Sequence, residues 1–289
     1  MTNQSNHQNL SQLLHTITIF MLLLLAVLLV CLSLLTGAYF VTKLLTLPPP
    51  TFTLPSFLSF LLPEETEPQS PNGPSEPSAD DGVTLGATAD AGIAYQDKII
   101  FVGDSLTAHL VNRGVLTGGT ATKQVWHCEN NMMNLNSEVV NVKIVYPETG
   151  EKMTIAEAAR KAKPEIMVIT LGTDYGVAFL GEADFKACYG DLIKAIQKAS
   201  PKTTIILQSI FPVTSTCVSL DNAKIDTCNK WVRAIAAENG CYYLNTQSVL
   251  KDDNNCLKAE YCNSTDGIHL HKEAYEVILT YIRTHAVPD

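Results

Sequence analysis

Residues 98–105 read Lys98-Ile-Ile-Phe-Val-Gly-Asp-Ser105, a short β-branched run that stops at a glycine. A run that is apolar throughout, and not alternating, predicts a strand buried on both faces, with a tight turn that presents Ser105 at its carboxyl end. The pattern recurs. Glu165-Ile-Met-Val-Ile-Thr-Leu171 runs into Gly172-Thr173-Asp174, Thr203-Thr-Ile-Ile-Leu-Gln-Ser-Ile210 makes a third run, and Cys241 to Asn245 a fourth. Helical stretches separate them. Thr154-Ile-Ala-Glu157 is a capping-box pattern opening a helix that must stop before Pro164. Others cover roughly 182–199, 223–238 (ended by Gly240) and 272–284. Val139 to Tyr146 alternates and then meets Pro-Glu-Thr-Gly-Glu, which predicts a hairpin. Buried strands alternating with helices give an α/β fold whose mostly parallel sheet is covered on both faces. In such sheets ligands bind beyond the carboxyl ends of the strands, where Gly103-Asp104-Ser105 and Gly172-Thr173-Asp174 both fall.

Working outward, residues 96–289 suffice for one domain with a sizeable core. What precedes them has a different composition. Ile17 to Val41 carries no charge, and 25 helical residues reach roughly 37 Å, enough for a hydrocarbon layer of about 30 Å. No Lys or Arg precedes the run and no small-residue cleavage pattern follows it, so an uncleaved transmembrane helix over 17–43 is expected behind a tail at 1–16. Nine of the 14 prolines fall in the first 95 residues, many beside carboxylates, which predicts a semi-extended disordered spacer over 44–95. The apolar stretch at 51–62 is expected either to lie along the membrane surface or simply to open the spacer. Lys43 on the C-terminal flank weakly favours a cytoplasmic domain by the positive-inside rule.

The cysteines point the other way. Cys31 lies in the anchor run, and seven remain: Cys128, Cys188, Cys217, Cys228, Cys241, Cys256 and Cys262. Cys217/Cys228 and Cys256/Cys262 bracket short loop-like stretches and are the expected disulfides, with Cys188/Cys241 a weaker pairing and simply buried, reduced cysteines the alternative. Such bridges imply an oxidising, extracytoplasmic compartment. Cys256, Cys262, His269 and His271 fit no standard zinc spacing, so no metal is expected. A net charge of −9, from 20 Lys+Arg against 29 Asp+Glu, argues against a nucleic-acid partner.

Ser105 needs a general base within hydrogen-bond reach to become a nucleophile. Asp266-Gly-Ile-His269 offers one, since a carboxylate three residues before an imidazole can turn back to accept its Nδ1–H and leave Nε2 for the serine proton. Each motif alone has a bland reading as an ordinary turn or a helix cap. Together, Gly103-Asp104-Ser105-Leu106, Gly172-Thr173-Asp174 and Asp266-x-x-His269 resemble the SGNH/GDSL hydrolases in order and spacing across residues 97–285. The domain also resembles the membrane-tethered members common in Firmicutes. The resemblance implies a three-layer α/β/α, flavodoxin-like domain with Ser105 as nucleophile, Asp266 and His269 completing the triad, and no cofactor.

It also implies an oxyanion hole built from the Ser105 N–H, a second-block glycine N–H and an Asn side chain in the Gly172 motif. Here the Asn position is Asp174. A carboxylate repels a developing oxyanion, and a lost donor costs about 2.7–4 kcal/mol, so a weakened enzyme is expected. No glycine lies in Val125 to Met133, leaving Gly118, Gly119, Asn130 and Asn131 as second-block candidates. Trp126 and His127 are candidates to line the site, with a core Trp the alternative. The expected activity is that of a membrane-anchored, extracytoplasmic serine esterase on small acyl esters, including O-acetyl groups of cell-envelope glycans. The alternatives are an O-acyltransferase, or a glycan-binding pseudoenzyme disabled at Asp174.

Overall fold

The computed structural model describes residues 82–173, 175–262 and 265–288, all within one compact unit spanning residues 72–289. The tail at 1–16, the expected membrane helix at 17–43, the spacer as far as residue 81, and Asp174 lie outside the described residues. Among the described residues no helix is long and apolar enough to cross a membrane.

The opening run forms β1 (Ile99–Gly103), and the chain turns straight into α2 (Ser105–Arg113), after a short α1 (Gly92–Gln96). Next come β2 (Val125–Trp126), the hairpin β3 (Lys143–Val145) and β4 (Lys152–Thr154), and α3 (Ile155–Ala162). The remaining elements are β5 (Ile166–Thr170), α4 (Gly176–Phe179), α5 (Glu182–Ala199), β6 (Thr204–Gln208), α6 (Asn222–Glu238), β7 (Tyr242–Leu244), α7 (Gln247–Leu250) and α8 (Lys272–Arg283). The main sheet runs β2-β1-β5-β6-β7 and is parallel throughout.

Successive strand residues point to opposite faces, so an apolar run feeds two cores at once. Ile99, Phe101, Ile166, Val168 and Ile206 pack under α2 and α8, against Leu106, Leu110, Ala274 and Ile278. Val102, Met167, Ile169, Ile205 and Leu207 pack on the other side against Ile155 of α3, Leu192 and Ile193 of α5, and Ile225 and Val232 of α6. Three layers result, as expected. The capping box forms in full, with Thr154 Oγ1 accepting from Glu157 N–H and the Glu157 carboxylate accepting from Thr154 N–H. Lys163, in the left-handed region at φ 50°, ends α3 before Pro164.

Three expectations change. The stretch 83–95, assigned to the spacer on composition, docks on the domain. Tyr243 N–H donates to Val83 O and Leu85 N–H to Tyr243 O, so this stretch pairs in parallel alongside β7. Leu85 is buried, Arg233 Nε donates to Thr84 Oγ1, and the Arg283 guanidinium reaches Asp90 and Gln96. Secondly, the hairpin strand begins at Lys143, because Val139–Asn141 takes a 3₁₀ turn that buries Val139. Finally, the expected disulfides do not form. Cys217, Cys228, Cys188, Cys241 and Cys256 are all thiols. Cys228 faces the core from α6, while Cys217 sits beside Ser219 in a half-buried loop. The Cys241 Sγ lies near Gln197 and Asn239, and Cys256 Sγ donates to Asn254 O. Short spacing in sequence says nothing about where two Cβ vectors point, and a bridge needs them aligned. Burial pushes the Cys228 thiol up to about 11 and that of Cys241 up to about 12, keeping both protonated.

Candidate active site

The turn after β1 leaves no room for a side chain at Gly103. A Cβ there would lie 2.1 Å from Thr170 O and 2.3 Å from Thr107 Oγ1, so glycine is what lets α2 fold back over the end of β5. Asp104, fully buried, is the N-cap: it is extended, and its Oδ1 accepts from Leu106 N–H at 3.2 Å. Ser105 is thereby the first residue of α2, half-buried. Its position is the positive end of the helix dipole, where a developing negative charge is favoured.

The partner groups arrive from the far end of the chain. Ser105 Oγ lies 3.1 Å from His269 Nε2, and His269 Nδ1 lies 2.6 Å from Asp266 Oδ2. A carboxylate only accepts, so Nδ1 carries the proton in the neutral ring and Nε2 presents its lone pair to the serine hydroxyl. Asp266 is held by its own loop, its Oδ1 accepting from Ile268 N–H (2.8 Å) and His269 N–H (3.2 Å). Between them Gly267, at φ +74°, lies against the 214–217 loop. A Cβ there would meet Thr214 Oγ1 at 2.4 Å, and Thr214 N–H donates to Gly267 O. The carboxylate and imidazole stay open to solvent, at 41% and 29% side-chain exposure, so geometry and not burial holds the pair.

The other side of the loop rests on α2. The His109 ring lies 4.8 Å from that of His269, and Arg113 Nη2 donates to Leu270 O at 2.9 Å. Burial, then the neighbouring His269 and Arg113, push the His109 imidazole below the ordinary histidine range, while Asp266 opposes them. Beyond the loop, Tyr275 Oη on α8 donates to Leu106 O.

The structure thus brings Ser105, Asp266 and His269 into one hydrogen-bonded chain. Gly172 is placed one strand over, past the carboxyl end of β5, packed against Ile210 and Phe185. Asp174 lies outside the described residues. Asn131 is no free donor, because its N–H closes a turn onto Cys128 O; Gly119 N–H is likewise taken by Leu116 O. Trp126 is buried in the core, edge-on to Tyr146. His127 Nδ1 bonds Cys128 O. His269, engaged by Ser105 and Asp266, is not gathered into a metal-binding group with Cys256, Cys262 and His271 among the described residues. His109 and Arg113 escaped the sequence reading. Their signal was the spacing 105, 109, 113, which aligns only once this stretch is known to be helical.

The model of the GDSL-like Lipase/Acylhydrolase family matches residues 101–277. No curated protein matches the chain. Among solved structures, the chain is similar to a GDSL-like lipase from Bacteroides thetaiotaomicron, at 17% identity over 65% of this chain and 87% of that one, TM-score 0.42. It is similar to the periplasmic domain of a lipopolysaccharide acetyltransferase from Salmonella ser. Paratyphi A, at 16% identity over 64% and 82%, TM-score 0.46. A family two carbohydrate esterase from Clostridium thermocellum is 15% identical over 64% and 61%, TM-score 0.44.

Proposed function

Because the chain belongs to the GDSL-like Lipase/Acylhydrolase family, we propose that it is a serine esterase acting on small acyl esters, with Ser105, His269 and Asp266 as its triad. One observation carries this reading, the unbroken run of contacts from Asp266 through His269 to Ser105. As Ser105 Oγ bonds to the acyl carbon, its proton passes to His269 Nε2, and Asp266 stabilises the imidazolium. The carbonyl electrons move onto oxygen, beside the Ser105 N–H at the start of α2, one of the helix's unpaired donors. Collapse of the tetrahedral adduct breaks the ester bond, and His269 returns the proton to the leaving alcohol. A water molecule then repeats the sequence on the acyl-enzyme and releases the acid.

An alcohol in place of water would make the same site an O-acyltransferase. The location and natural ester belong to the same proposal: a single-pass anchor at 17–43 and a spacer holding the domain outside the cytoplasm, within reach of O-acetylated envelope glycans. Anchor and spacer support the tethering, whereas the thiols remove the disulfides as an argument for an oxidising compartment and Lys43 favours the cytoplasmic side. Asp174 favours a second reading, a site weakened in hydrolysis, since it replaces an amide donor with a carboxylate.

The test is hydrolysis of p-nitrophenyl acetate by the full chain, beside Ser105→Ala and Asp174→Asn. The esterase reading expects turnover that Ser105→Ala abolishes. A weakened site expects Asp174→Asn to raise kcat by about 10²-fold. Equal background release from wild type and Ser105→Ala overturns hydrolysis of this ester.

A further inference from the structure

We propose that His109 and Arg113 are positioning residues for the general base, forming with Ser105 a single stripe of α2 that holds the 266–270 loop in line with the nucleophile. The proposal rests on the serine-esterase reading. Residues at i, i+4 and i+8 lie on one face of a helix, and here they meet three neighbouring features of one loop. Ser105 Oγ touches His269 Nε2, the His109 ring packs on the His269 ring at 37°, and Arg113 Nη2 bonds Leu270 O. The serine and its base are 164 residues apart in sequence; the 214–217 loop holds the base's loop at Gly267, and the contacts at His269 and Leu270 come from the helix that carries the nucleophile.

His109 suits that place because it stays neutral. Its Nδ1 is buried with no hydrogen-bond partner among the described residues. An imidazolium there would carry a buried N–H with nothing to receive it. It would also face His269 at the moment that ring takes the serine proton, with Arg113 adding a second positive charge nearby and Asp266 opposing them. A neutral ring lets the imidazolium form while blocking rotation of His269 away from Ser105. Arg113 fixes the carbonyl of the residue next to the base, so the loop cannot slide along α2.

The experiment measures kcat, KM and Tm of the full chain for wild type, His109→Ala, His109→Phe and Arg113→Met, with Ser105→Ala alongside. The rate at which a fluorophosphonate labels Ser105 serves as a readout that needs no turnover. His109→Ala and Arg113→Met are expected to lower kcat and the labelling rate by about 10–10²-fold, the cost of a displaced catalytic group. KM should stay within about twofold, since ground-state binding is untouched. His109→Phe should recover most of the rate, because it restores a flat uncharged wall. Wild-type rates in His109→Ala and Arg113→Met, with Ser105→Ala inactive, overturn the positioning role and leave the esterase reading standing. So does a loss of rate that follows a fall in Tm and returns on cooling. An active Ser105→Ala, or a wild type that neither turns over nor labels, overturns both.

Discussion

The carboxylate of Asp266 does two jobs with two oxygens. Oδ1 closes a turn with the backbone of its own loop, and Oδ2 accepts from His269 Nδ1. In Asp266→Asn the first job survives, because an amide oxygen also accepts from Ile268 N–H. The second is spoiled, because the remaining Nδ2 donates and turns the imidazole to the wrong tautomer. Steady-state kinetics should show kcat falling by about 10⁴-fold, with the folded chain as stable as before; an unchanged kcat would remove Asp266 from the mechanism. That Ser105, His269 and Asp266 meet was legible in sequence only from Gly-Asp-Ser and Asp-x-x-His taken together, since each motif alone reads equally as a turn or a cap. His109 and Arg113 were not, since each alone is a bland helix residue. Trp126 was legible only as an alternative, because an aromatic beside a loop looks the same whether it faces the core or a ligand.

At the level of elements, strands β1, β5 and β6 and helices α5, α6 and α8 lie within a residue or two of the stretches their sequences predict, because their apolar patterning leaves little competition; α6 alone of these helices also has a side-chain N-cap, from Asp221. The two residues of β2 carry no readable period, and α2 starts on a serine that the strand-and-turn reading consumed. The capping box of α3 gives an element-scale prediction. Thr154→Ala should cost about 1 kcal/mol in chemical unfolding. Glu157 is held below its ordinary value of 4.5, first by the Thr154 N–H and then by its hydroxyl. A lowered folded-state pKa means that its contribution is complete above pH 4.5 and is lost as pH falls through the folded value. The stability gap between wild type and Thr154→Ala should therefore narrow on acidification from pH 6 to pH 3. The Thr154 N–H survives in Thr154→Ala, so a gap constant across that range would mean that the hydrogen bond from the Thr154 hydroxyl to the Glu157 carboxylate contributes nothing.

For the whole molecule, average composition misplaced the start of the folded unit. The prolines and carboxylates upstream conceal Val83-Thr84-Leu85, a β-branched run that covers the β7 edge and buries Leu85. Burying one leucine is worth about 2 kcal/mol, so a chain beginning at residue 97 should melt about 4–8 °C below one beginning at residue 82. Identical melting temperatures would show that this strand merely rests on the surface. Ser105 and His269, finally, stand 164 residues apart in a chain made from its N-terminus onward. At ribosomal speeds the imidazole is added about 8–33 s after the serine. The hydroxyl group therefore exists for that whole interval without the imidazole that neighbours it in the folded chain, and a chain clipped before residue 269 never acquires it.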